Sequence, residues 1–129
     1  MQLNDIIADA QDQDRGRELE LADPVTGKPT GIKLRIAGPD SATQNRARLA
    51  LSDAMGEHAD DRGNVPAAVR ERLRLESLAA CVLGWEIEEE GQPVPFTQGN
   101  VIRLLKAAAW VQAQVDSFAA DRAAFRGGQ

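Results

Sequence analysis

Tyrosine is missing from this chain of 129 residues, and cysteine and histidine occur once each. The lone Cys81 excludes an intrachain disulfide, which fits a reducing compartment. Aromatic residues are scarce at 4%: Trp85, Phe96, Trp110, Phe118 and Phe125, all in the C-terminal half. No apolar run approaches the roughly 20 residues that cross a bilayer. The start, MQLNDIIADAQDQD, lacks the basic n-region and long apolar core of a signal peptide, so the expected compartment is a cytoplasm. Excess positive charge is lacking as well. The net charge is -5 and the isoelectric point about 4.9. A free domain of that sign is a poor binder of nucleic acid, whose phosphates supply most of the affinity.

What is there reads as globular. Hydrophobic residues make up 43% and charged residues 27%, and the length suits one domain with a modest core. The expected architecture is α+β: an N-terminal antiparallel β-hairpin followed by three to four helices packed as a small helical domain. In outline, residues 1–16 form a flexible or short helical N-terminus, residues 17–126 a single domain, and residues 127–129 a flexible tail. Leu19 and Leu21 alternate with Glu18 and Glu20, and Ile32, Leu34 and Ile36 alternate with Lys33 and Arg35. Period two of this kind marks half-buried strands, which predicts a hairpin over 17–37 with a loose, Pro- and Gly-punctuated loop. Its outward faces would set glutamates against Lys33 and Arg35.

After Gly38-Pro39 the period changes to that of a helix. Ser41 with Gln44 reads as a capping box, opening a helix over about 42–57. A second helix, about 66–83, starts at Pro66 and stops at Gly84. Residues 84–96 then read as a loop. Thr97 caps a third stretch, about 98–125, with the apolar stripe Val101, Leu104, Leu105, Ala108, Val111, Val115, Phe118 and Phe125. That stripe is one long helix or two with a kink near 107–110.

Most chemical motifs fail on inspection. Gly27-Lys28 lacks the earlier glycine and the following Ser/Thr of a phosphate-binding loop. DAQDQDRG places Arg15 where a calcium loop needs glycine. Glu86, Glu88, Glu89 and Glu90 could hold a hard cation, but they crowd one segment with no histidine or cysteine partner, and they read as a solvated rim. Cys81 lies in an apolar stretch and reads as an inert buried thiol. His58 sits in a polar linker, and the arginines at 70, 72 and 74, two apart and interleaved with Glu71 and Glu76, do not share one helix face. No catalytic residue, metal ligand or cofactor site stands out. Trp85, Phe96 and Trp110 serve either as core filling or as surface anchors.

The run LGWEIEEEGQPVPFTQGNVIRLL, followed by WVQAQVDSFAADRAAF, resembles the tail assembly chaperones of siphovirus-type, long-tailed bacteriophages and prophages. The hairpin RELELADPVTGKPTGIKLRI is similar too, and the order and spacing of these pieces carry the match over most of the chain. A proline-containing break that is common in such proteins is missing from LLKAAAWVQ. The resemblance implies a non-enzymatic protein of the host bacterial cytoplasm. It would bind the tape-measure protein, keep it soluble, help recruit the major tail protein, and stay out of the mature virion. Self-association is compatible with that role, and no nucleic acid or membrane is implied. The expected partner-binding residues are Trp85, Phe96, Trp110, Phe118 and Phe125. Two other functions stay open: a head–tail connector or tail-completion protein, and a small metal-dependent enzyme built on the 86–90 glutamates.

Overall fold

Alternating side chains put every second residue of an extended strand on one face, and here that face becomes the floor of the core. The computed structural model describes residues 1–126. It shows β1 (Arg17–Ala22) and β2 (Pro29–Ile36) paired antiparallel, with Leu19 opposite Leu34, Glu18 opposite Arg35 and Glu20 opposite Lys33. Leu21, Leu34 and Ile36 are buried while Glu18, Glu20 and Arg35 are exposed. The fold is α+β, an N-terminal hairpin with five helices. The link between the strands is not loose. The Asp23 carboxylate accepts from the Val25 and Thr26 amides at 2.8 and 3.0 Å, and the Gly27 amide donates to the Asp23 carbonyl.

The expected helix over 66–83 is shorter than its stripe. Helix α3 runs Ala67–Ala79, and Val82–Glu86 is instead a third strand, β3, antiparallel to β2 on the side away from β1. Four apolar residues in a row fit a buried strand as well as a helix. The open edge of β2 decides the matter, because its unpaired amides and carbonyls need partners. Gly84 is therefore mid-strand opposite Arg35, and not a helix stop. Beyond it, residues 84–96 are no plain loop. Glu88–Glu89 and Gln92–Pro93 form a small hairpin, β4 and β5. Its two-residue turn has positive φ at both Glu90 (53°) and Gly91 (77°), the backbone of a tight hairpin connection.

The stripe over 98–125 is broken, although no proline or internal glycine breaks it. Helix α4 (Gln98–Ala107) and helix α5 (Ala109–Ala119) meet at Ala108, whose backbone is extended (φ -159°, ψ 144°). The Gln112 side chain donates to the Leu105 carbonyl at 2.8 Å and accepts from Arg74, so a carbonyl freed by the break is satisfied. A short 3-10 turn, Arg122–Phe125, follows. Helix α2 (Ala42–His58) packs on α3, α3 on α4, and α4 on α5, while α5 lies against β1 and β2. The core gathers Leu21, Leu34, Ile36 and Val82 from the sheet with Leu75, Val101, Leu105, Val115 and Phe125 from the helices. The expected flexible tail at 127–129 lies outside the described residues.

Uncharged amides fasten these parts. Gln114 of α5 both donates to and accepts from the backbone of Ala22, at 2.8 and 2.9 Å. Gln44 does not close a capping box. Ser41 accepts from its amide at 3.1 Å as expected, but the Gln44 side chain donates to the carbonyls of Ala37 and Ala119. The buried Gln13 ends helix α1 (Leu3–Gln13), and its side chain accepts from the Asp40 amide at 2.7 Å. Asp40 in turn holds Arg122 through two 2.9 Å bonds.

Next to Gln13, Asp14 completes the cap of α2. Its carboxylate accepts from the Ala42 and Thr43 amides and from the Thr43 hydroxyl, at 3.0–3.1 Å. Partial burial acts to raise its pKa, but the bonds from Thr43 and Ala42 outweigh this and hold it below the usual carboxylate value. A depressed folded-state pKa gives stability that is present above the unfolded value and lost as pH falls through the folded one. Asp14→Ala is therefore expected to cost about 1 kcal/mol at neutral pH, as a lost cap does. The difference from the parent should shrink by about pH 2.5, below the ordinary carboxylate range. Urea denaturation at the two pH values checks this, and an equal difference at both would refute the charged cap.

Candidate partner-binding surface

Trp85 leaves β3 on the core side of the sheet, opposite Leu34. Its ring is partly buried and its indole N–H donates to the Val94 carbonyl at 2.9 Å. Phe96 meets it edge-on, with centroids 5.5 Å apart and planes at 81°. Phe96 remains 44% exposed, so one face of the pair reaches solvent. Beside the pair, Trp85, Ile87, Val94, Leu104 and Ala107 line a cleft of about 290 Å³ between the β4–β5 hairpin and α4. An Arg103–Glu89 ion pair at 3.2 Å crosses its rim. Ile32, Ile87 and Val94 extend the apolar lining toward β2 in a second hollow of about 630 Å³.

The five aromatic residues expected to bind a partner are distributed over the fold. Trp85 and Phe96 form the exposed pair. Trp110, on α5, is partly buried against the core. Phe118 and Phe125 form a second pair at 5.1 Å. Phe125 is wholly buried, at 0% exposure. Its place among the expected partner-binding residues is thus corrected: the Asp121-capped 3-10 turn, Arg122–Phe125, carries the ring into the core. Leu104 reads as part of the helical stripe in the sequence, whereas Ile87 and Val94 do not stand out. The alternation Trp85-Glu86-Ile87-Glu88 carries the signal of a strand, but the run of glutamates around it masks the period.

Glu86, Glu88, Glu89 and Glu90 are all exposed. Among the described residues no group of three His, Cys, Asp or Glu is placed to hold a metal ion. Burial pushes the Cys81 thiol up to about 11, so it stays protonated at neutral pH and is a weak nucleophile. His58 is exposed, with Arg72 as its neighbour at 3.5 Å. Among the described residues no helix is long and apolar enough to cross a membrane.

Residues 40–129 match the family model described as YdaY prophage protein, and the chain belongs to that family. It is of prophage origin. The matched region holds all the helices after the hairpin and the whole of the Trp85–Phe96 surface. No curated protein and no solved structure matches the chain.

Proposed function

We propose that this prophage protein is a tail assembly chaperone. It binds the tape-measure protein of its own phage, holds it soluble in the host cytoplasm, and brings it together with the major tail protein without catalysing a reaction. The observation that carries this reading is the cleft beside the Trp85–Phe96 pair, an apolar trough with a half-exposed aromatic edge and a charged rim. A helix laid in a groove anchors through residues at i, i+3, i+4 and i+7, and a long helical partner offers that pattern repeatedly. Aromatic anchors dominate the energy of such contacts, while the acidic surface keeps the complex dissolved. The prophage family and the resemblance over residues 83–125 support the same role.

Co-expression of the chain with the tape-measure protein of the same prophage tests this. The soluble fraction of the partner should rise with the parent chain. It should fall back with Phe96→Ser, which removes the exposed ring beside the cleft, and with Val94→Asp, which puts a charge in its lining; both leave the buried core intact. A partner equally soluble without the chain would overturn the chaperone role. Mass spectrometry that detects the chain in purified virions would indicate a connector or tail-completion part instead.

A further inference from the structure

The three-stranded sheet splits at one corner, and acidic residues stand in the split. β2 and β3 stay paired as far as Lys33 and Glu86. Beyond that point β2 extends back to Pro29, while the chain of β3 turns off into the β4–β5 hairpin. The hollow of about 630 Å³ opens between them. Ile32, Ile87, Pro93 and Val94 make its apolar lining beside Trp85, and Glu86 and Glu88 are the charged residues that line it.

Neither carboxylate has a cationic partner among the described residues. Lys33 stands opposite Glu86 in the strand pairing, but it makes no ion pair with it and does not line the hollow. On the α4 side of the hairpin the charge is balanced, because Glu89 is matched by Arg103 at 3.2 Å. Trp85, Ile87 and Val94 line both hollows, so the apolar surface is continuous while its unmatched charge is negative and lies on the β2 side. A cation brought there meets no competitor. Charges placed at the edge of an apolar contact decide which partner is accepted and how fast it arrives.

An added β-strand is the poorer occupant. The β2 amides of Gly31 and Ile32 are already taken, by the Glu20 carboxylate at 3.0 Å and the Thr30 hydroxyl at 3.2 Å, which leaves that edge little backbone to pair. The hollow offers side-chain contact instead, which suits the stripe of a helix. We propose that the segment bound at this surface is an amphipathic helix whose apolar stripe is flanked by lysine or arginine. The stripe lies on Ile32, Trp85, Ile87 and Val94, and the cations meet Glu86 and Glu88. The inference rests on the chaperone reading, in which this same surface holds the tape-measure protein, and it adds the chemistry that selects the bound segment from a long chain.

Fluorescence anisotropy of labelled helical peptides of about 18 residues tests it on the full chain. One peptide carries leucines at i, i+3, i+4 and i+7 flanked by lysines. Its twin has glutamate for every lysine, and a third has the lysine composition in an order without a stripe. The parent is expected to bind the lysine peptide at least about tenfold more tightly than either of the others. Raising the salt from about 0.1 M to about 1 M should shrink the preference over the glutamate twin. Glu86→Gln combined with Glu88→Gln, both at exposed positions, should remove most of that preference, and far-UV circular dichroism checks that this variant is folded. Equal binding of the lysine peptide and its twin overturns the proposal, as does a parent that binds neither. A stripeless peptide that binds as well as the lysine peptide also overturns it, by showing general charge attraction only. So does a doubly substituted variant that keeps the full preference. The chaperone reading fails separately, on a tape-measure protein equally soluble without the chain, whichever peptide is preferred.

Discussion

Phe125→Ala is expected to lower the unfolding free energy by about 3–5 kcal/mol, the cost of truncating a large core ring. The residue lies four positions before Gln129, a region where substitutions are commonly tolerated. Its burial argues otherwise: the side chain is 0% exposed and meets Phe118 edge-on at 5.1 Å. It also belongs to the cluster that includes Leu21, Ile36 and Val115, so a cavity left there adjoins both the sheet and α5. The Asp121 carboxylate, which accepts from the Ala123 and Ala124 amides, holds the turn in place, and collapse around the cavity is therefore limited. Urea denaturation with unchanged slope measures the loss. A loss below about 1 kcal/mol would show that the ring contributes little to the core.

Gly38→Ala is expected to cost about 3 kcal/mol, combining overpacking with a displaced buried amide. A Cβ at Gly38 would stand 2.5–2.8 Å from the Oε1, Cβ and Cγ atoms of Gln13. Gln13 would have to leave, taking with it the bond from the Asp40 amide at 2.7 Å and the seat of α1. The cause is contact and not backbone conformation, because Gly38 is not among the glycines with positive φ. The two sites should therefore be strongly coupled. Once Gln13 is already glycine, which removes the clashing Cβ as well as the amide, adding Gly38→Ala should cost well under half as much. Simple additivity in that double-mutant cycle would show that the crowding is not between these two residues.

The hairpin was legible because period two is a local signal: Leu19, Leu21, Leu34 and Ile36 state their face within a few residues. The caps at Ser41 and Thr97 were legible for the same reason, each accepting from the amide three residues on. β3 was not. Val82 and Leu83 extend a helical stripe and Gly84 reads as its stop, and only the free edge of β2, some fifty residues earlier, makes the segment a strand. The break at Ala108 was half legible. The stripe allowed a kink, but what satisfies it is the Gln112 side chain reaching back to Leu105, and a glutamine on a helix gives no sign of its target. The candidate surface divided in the same way. Trp85 and Phe96 stood out as scarce aromatics, whereas Ile87 and Val94 join them only through the small hairpin, and Phe125 was removed from the surface by a turn at the chain end.

The amide side chains that join distant parts have a consequence for how this sequence can diverge. Gln44, Gln112 and Gln114 bridge segments up to 92 positions apart without carrying charge. Their bonds need no counterion and are not screened by salt as exposed ion pairs are. The surface can therefore exchange acids for bases, to suit a new host or a new partner, without loosening these joints. Charge changes away from the Asp14 cap and the Asp40–Arg122 pair leave these joints intact, while a single Gln→Glu at position 114 would bring a carboxylate against the Ala22 carbonyl.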